Sequence, residues 1–296
     1  MTAKATESME KTYSVCECNR LYSEETLHPM AGVIDLDKPC AAESLRTDCY
    51  AVTLTDSEQG GGTGYGRMSC DYTSAAMLFC RPGCDIGKES LRSGQLLLFH
   101  PRLLQCTCLG KKISDYTFFR YSPREALHLS CREERQARRC VSYIGEELQW
   151  GVDKFSKALL CNKIELLLNY CMRFYCRQFT TRHDVCADAL GRMTEIIDRH
   201  FAGGKAADGH IPTAGGLAAR LGMSPAYLAD MVRHITGLGM AEYIAARRMV
   251  AAKSQLLCTG RSVAAIADGL GFCSETYFRA LFRKITGLTP EEYRHE

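Results

Sequence analysis

No run of about 18 consecutive apolar residues occurs in the 296-residue chain, so nothing in it is long enough to span a bilayer as a helix. Its N-terminus also lacks the basic, apolar and small-residue succession of a secretory leader. Both absences point to a soluble, cytoplasmic protein with no membrane partner. An excess of one charge is missing as well: 37 Lys and Arg stand against 34 Asp and Glu, a formal net charge of +3. Overall electrostatics therefore does not announce a nucleic-acid binder, and any such affinity must come from where the charges sit. Cysteine is abundant at 17 residues, yet no Cys-x-x-Cys pair occurs. The tightest spacings are Cys16 with Cys18, Cys80 with Cys84, Cys106 with Cys108 and Cys171 with Cys176. A long chain without a leader does not suit a disulfide framework, and zinc would want Cys-x-x-Cys pairs. The cysteines read as small apolar fillers in a reducing compartment, with a thiol- or metal-based sensor as the competing account. His28, His100 and His128 are scattered and form no His-x-His pair, so each reads as a lone loop or core histidine.

What is present starts with composition: 46% hydrophobic residues exclude wholesale disorder, and the length allows two domains. The chain then says nearly the same thing twice. Leu217 to Glu242-Tyr243 is repeated from Ile266 to Glu292-Tyr293, at an offset of 49 through Gly222 and Gly271 and of 50 from Tyr227 and Tyr277 onward. Each copy has the arithmetic of a helix-turn-helix. In the first, Leu217, Ala218 and Leu221 form one apolar face, and Gly222 suits a left-handed exit. Ser224-Pro225 then restarts a helix that buries Leu228, Met231, Val232 and Ile235 and turns Ala226, Ala229, Asp230 and Arg233 outward. In the second, Ser274 takes the capping place, Phe278, Leu281, Phe282 and Ile285 go inside, and Glu275, Thr276, Arg279 and Arg283 face out, with Lys284 beside them. Short polar and basic groups on one face suit a helix lying in a DNA major groove. Helical hairpins that merely pack would explain neither the repeat nor the turn chemistry.

Between the copies, Ala241 to Cys258 holds no Pro or Gly, which predicts one helix of about 27 Å at 1.5 Å per residue. One turn of B-DNA is about 34 Å, so such a rod could present two reading helices to successive major grooves. Residues 205–296 carry 11 Lys and Arg against 8 Asp and Glu, a mild net +3.

These residues reach a known family. Arg248-Met249, Ala252-Lys253 and Leu256-Leu257, then Ser262 to Ala267, Leu270-Gly271-Phe272, Tyr277-Phe278, Phe282-Arg283-Lys284 and Gly287 to Arg294 closely resemble the signature of AraC/XylS-type transcriptional regulators. The resemblance covers residues 205–296. It implies double-stranded operator DNA and RNA polymerase as partners, and an upstream domain that senses a small-molecule effector or forms a homodimer. Two departures stand out. The first copy offers Ala226, Ala229 and Asp230 where the family presents larger polar or basic readers, and Gly215-Gly216 falls in the first turns of the preceding helix. The second copy is therefore expected to supply most base readout, through Glu275, Thr276 and Arg279, with Arg233, Arg283 and Lys284 on phosphates.

Upstream, residues 1–20 read as a loose leader. Extended runs follow at Val33–Leu36 and Cys49–Thr55, a Gly-rich connection leads to Tyr65–Tyr72, and further runs lie at Met77–Phe79 and Gln95–Phe99. Such short strands read as an antiparallel sandwich or barrel, and similar regulators carry a cupin-like barrel here. The metal-binding form of that barrel needs a His-x-His pair, so no metal is expected. Tyr116, Phe118, Phe119 and Tyr121 would pad its outer face or opening. Ser122-Pro123-Arg124-Glu125 has a capping-box pattern that predicts a helix start. Helices are expected over Arg132–Trp150, Lys154–Arg177 and Ala187–Phe201. The stripes Ile144, Leu148 and Ile164, Leu167, Leu168, Cys171, Met172, Tyr175 read equally as hairpin core or as a dimer surface.

The expected fold is α+β: a cupin-like sensing domain over 21–130, a helical hairpin and dimerisation region over 131–202, and an all-α tandem helix-turn-helix domain over 203–296. The expected function is a sequence-specific DNA-binding regulator. The rival is an enzyme or thiol/metal-dependent sensor, a cupin oxygenase or a cysteine-based DNA-repair protein, joined to the same module. The first lacks its histidine ligands and the second a recognisable four-cysteine zinc site. The chain is thus read as a non-enzyme without a cofactor.

Overall fold

The computed structural model describes residues 11–38, 44–56, 65–203 and 211–295. Of the loose leader expected over 1–20, residues 1–10 lie outside the described residues, as do the connection over 57–64 and the linker over 204–209. The rest of that leader is not loose: a capping box at Ser14 starts a helix whose Val15 and Cys18 are buried. The chain forms two compact units, Met1–Arg182 and His183–Glu296.

In the first unit, helix α1 (Val15–Leu21) precedes seven strands: β1 (Ala31–Asp35), β2 (Ser44–Arg46), β3 (Tyr50–Asp56), β4 (Ala75–Cys80), β5 (Asp85–Gly87), β6 (Gln95–Phe99) and β7 (Leu127–Leu129). Five of them form an antiparallel sheet in the order β1-β6-β3-β4-β7, and β2 pairs with β5 as a ribbon. Alternation sorts the side chains to two faces. Ile34, Ala51, Leu96 and Leu98 pack with Val15 and Cys18 of α1, with Tyr22 just after it, and with Leu45 and Ile86 of the ribbon. Tyr50, Val52, Leu54, Met77, Phe79, Leu97 and Phe99 share the other face through their cross-strand registers. With both faces covered, β6 and β4 are almost wholly buried, so they read as continuous apolar runs.

Four expectations are corrected here. The sheet is open between β1 and β7, so no closed barrel forms among the described residues. Tyr65–Tyr72 forms no strand, because β4 takes β7 as its outer neighbour, and the loop is instead tied at Asp71. The capping box at Ser122 does form, but it closes a single 3-10 turn, Pro123–Glu125, and the chain then pairs as β7 with Ala75–Met77. Tyr116, Phe118 and Phe119 are buried rather than peripheral, in a ring cluster with Tyr50, Phe79, Phe99 and Tyr175.

Two short helices, α2 (Pro101–Leu104) and α3 (Cys108–Lys112), lead toward the hairpin of α4 (Cys131–Gln149) and α5 (Ser156–Thr181). A second capping box, Ser130 with Glu133, starts α4. Ile144 and Leu148 face Ile164, Leu167, Leu168, Cys171 and Tyr175 as core, whereas Met172 is exposed. No disulfide links the described cysteines, and Cys18, Cys49, Cys140, Cys161, Cys171 and Cys186 are buried. Burial pushes the Cys18 thiol up to about 12 and also raises Cys49 and Cys171, which suits packing rather than chemistry.

The second unit is all helix: α6 (His183–Ala202), α7 (Ala214–Leu221), α8 (Pro225–Thr236), α9 (Met240–Cys258), α10 (Val263–Gly269), α11 (Glu275–Thr286) and α12 (Pro290–Arg294). It begins twenty residues before the expected linker, because α6 is bound to α9. Thr194 Oγ1 and Tyr243 OH lie 2.7 Å apart, Arg247 bridges Asp198, and Gln255 Nε2 donates to the Phe201 carbonyl at 3.2 Å. Met193, Ile197 and Phe201 are fully buried. Among the described residues no helix is long and apolar enough to cross a membrane.

Candidate nucleic-acid interface

The repeat read from the letters is also a repeat of hydrogen bonds. Gly222 N and Met223 N donate to Ala219 O and Ala218 O, and 49 residues on Gly271 N and Phe272 N donate to Asp268 O and Ala267 O. Gly222 and Gly271 are left-handed, with φ of 69° and 74°. Ser224 Oγ accepts from Tyr227 N at 3.3 Å, and Ser274 Oγ from Tyr277 N at 3.1 Å, now 50 residues on. Between glycine and capping serine lies Met223 in the first copy and Phe272-Cys273 in the second, which locates the extra residue in the turn. The exits match too. Gly237 N and Gly287 N donate to the carbonyls of Arg233 and Arg283, and Glu242 and Glu292 close the next helices at 2.7 Å each. Gly215 and Gly216 occupy the first turn of α7 under the Thr213 cap.

The extra residue has packing consequences. Phe272 lies against Phe278, with ring centroids 4.9 Å apart, and the Arg248 guanidinium sits 3.6 Å over its ring. Arg248 Nε also donates to Leu270 O at 2.7 Å, fastening the second turn to α9. That helix runs unbroken from Met240 to Cys258, matching the expected rod.

The expected reading residues fall as follows. Of the first copy, Leu228, Met231 and Val232 are buried and Ile235 is half-buried. Ala226, Ala229 and Asp230 are half-buried, Ser224 serves as the cap, and Arg233 is exposed. Of the second, Phe278 and Phe282 are buried, Leu281 is half-buried, and Ile285 is 55% exposed rather than inside. Two large rings already fill the space beneath α11, so Ile285 is turned out. Thr276, Arg283 and Lys284 are exposed, and Ser274 caps.

Arg279 is not a free fork. Its Nε and Nη2 donate to Glu275 Oε1 at 2.8 and 2.7 Å, and Nη1 meets Glu291 Oε1 at 2.5 Å. These carboxylates raise its pKa, the Glu275 hydrogen bond being the largest cause. Glu291 was not nominated from the sequence, since it lies on α12 and not on the reading helix. The repeat held the signal: the counterparts of Glu275, Arg279 and Glu291 are Pro225, Ala229 and Ala241, so the whole charged cluster belongs to one copy. Tyr277, 54% exposed, and Ala280 are further outward groups of α11 that the sequence reading passed over. Among the described residues no three His, Cys, Asp or Glu side chains are grouped to hold a metal ion.

A helix-turn-helix domain model matches residues 217–296. The regulatory protein SoxS of Salmonella typhimurium is 38% identical over 79 residues, 27% of this chain and 74% of SoxS. PocR of the same organism is 32% identical over 80 residues, 27% of this chain and 26% of PocR. The arabinose operon regulatory protein, also of Salmonella typhimurium, is 26% identical over 144 residues, 49% of this chain and 48% of that protein. The chain thus spans about a quarter of PocR and about half of the arabinose regulator. Matched turns, caps and spacer, together with the extent of the likeness to SoxS, place it: the chain belongs to the AraC/XylS family of DNA-binding transcriptional regulators.

Proposed function

We propose that the protein is a cytoplasmic, sequence-specific regulator whose α8 and α11 enter adjacent major grooves of an operator. In this reading α11 supplies most of the base contacts through Glu275, Thr276 and Arg279. Arg233, Arg283 and Lys284 hold phosphates, Ser224 and Ser274 set the helix starts, and Ala226, Ala229 and Asp230 form a blander first reader. The observation that carries this is a matched set of turn and cap hydrogen bonds holding two reading helices of unequal charge. RNA polymerase would be met at the promoter.

The first unit would bias DNA binding through an effector or through self-association. Its two-sided sheet supports a cupin-like arrangement, with the α1 and ribbon layer facing the larger sheet. Leu159 and Leu166 are exposed along α5, with Trp150, Val152 and Phe155 at the hairpin turn, and their placement supports a homodimer surface. Genome-wide footprinting tests the division of labour. Arg279→Ala should remove most sites while Asp230→Ala leaves them. The reverse result would refute it.

A further inference from the structure

A groove of about 420 Å³ lies between the start of α4 and the last turns of α5. Arg132, Arg173 and Arg177 line it against a single carboxylate, Glu133. That carboxylate is already committed, since its oxygens accept from Arg177 Nε at 3.0 Å, from Arg177 Nη2 at 2.7 Å and from Ser130 N at 2.9 Å. Arg177 Nη2 also donates to His128 O, while its Nη1 is buried with no partner. Among the described residues Arg132 and Arg173 make no hydrogen bond or ion pair, and both are exposed.

Arg177 ties α5 to the start of α4, but the placements of Arg132 and Arg173 do not help the fold. Arg173 and Arg177 are four apart on α5, where like charges repel. Arg132 sits in the first turn of α4, the end of a helix that disfavours a cation. Beside them Tyr170 and Phe174 stack, ring centroids 5.9 Å apart at 27°, with Phe174 buried. The groove therefore offers two uncommitted planar forks next to an aromatic wall, in a volume typical of small-molecule sites, about 300–1,000 Å³.

We propose that this groove binds a small organic anion, its oxyanion head taken by Arg132 and Arg173 and its apolar body laid on Tyr170 and Phe174. Guanidinium forks grip carboxylate and phosphate oxygens in pairs, so the head group is an oxyanion, and the rings favour a carbon skeleton over a bare ion. The site belongs to the first unit alone and does not depend on how the second reads DNA.

Calorimetric titration of the full chain, without DNA, tests it with phenylacetate, phenyl phosphate, inorganic phosphate and neutral benzyl alcohol. At least one of the two organic anions should bind ten times or more tighter than both inorganic phosphate and benzyl alcohol, and which one binds identifies the head group. The R132A/R173A pair, at exposed positions with an unchanged melting temperature, should lose that binding tenfold or more. Tyr170→Ala should weaken the organic anion and leave inorganic phosphate unaffected. Absence of heat with both organic anions, equal binding by the arginine variant, or displacement of the bound anion by duplex DNA at the same residues would overturn the proposal.

Discussion

Arg279 shows how a single side chain can be pre-positioned yet held back. An exposed ion pair is worth about 0.2–1 kcal/mol, and a good bidentate base contact about 1–3 kcal/mol, so in the proposed base-reading role a matching base would draw the fork away from Glu275 and Glu291 while a poor one would not. Removing one holder should therefore loosen discrimination. Glu291→Gln is expected to raise affinity for random duplex about two- to fivefold and to steepen the salt dependence by about one counterion. Fluorescence anisotropy across a salt series reads both, and weaker binding would count against the idea. His128 carries a second residue-level expectation. Burial, partly offset by Asp71, lowers its pKa to about 4. The unfolded chain, with a pKa of about 6.5, binds the proton first as pH falls. Stability present at neutral pH is lost progressively between about 6.5 and 4, to a total of about 3 kcal/mol at 1.36 per unit. Urea melts from pH 7 to 4 should show this slope, and His128→Phe should flatten it. Such pairings are hard to read from letters. Glu291 is twelve residues from Arg279 on a separate five-residue helix, and only the comparison of copies distinguishes it.

Among the elements, the ones with strong local period were legible. The reading helices and the α4–α5 hairpin carry apolar spacing over several turns, the long spacer shows itself by its lack of Pro and Gly, and the left-handed glycines announce the stops. Three-residue strands such as Ser44–Arg46, Asp85–Gly87 and Leu127–Leu129 are too short for any period to show. Leu127–Leu129 even follows a sound helix-start pattern, which the sheet edge overrides. The place of α6 was equally hidden, since its bonds reach partners 49 and 54 residues away. One substitution at two glycines separates local conformation from packing, because an added Cβ meets nothing within 4 Å at either. At Gly222, with φ at +69°, alanine should cost about 1–2 kcal/mol of backbone strain. At Gly191, exposed inside α6, it should stabilise by up to about 1 kcal/mol. Chemical denaturation of the two variants must give opposite signs for this to stand.

At the scale of the molecule, the first unit is closed by a tie that no sequence pattern reveals. Arg182, its last residue, donates to Asp71 at 2.6 and 2.8 Å from 111 residues away, and both side chains are almost fully buried. Burial pushes the Asp71 carboxyl up, but the Arg182 and Met68 hydrogen bonds outweigh it and hold it low. Arg182 Nη2 also reaches the Gly66 carbonyl at 3.3 Å, so the loop after residue 64 is pinned to the end of α5. Breaking one side leaves a buried charge, so Asp71→Asn should cost about 3–5 kcal/mol, while replacing both partners by apolar residues should cost less. Equal losses in the single and double variants would argue for a different role.

The unequal charge of the two reading helices has one more consequence. A protein with a bland reader at one end and an arginine reader at the other is a directional object, like an arrow laid along the duplex. On the proposed division of reading, its target is expected to be asymmetric within one chain's footprint, and reversing that target beside a promoter would point the other end of the protein at the transcription start.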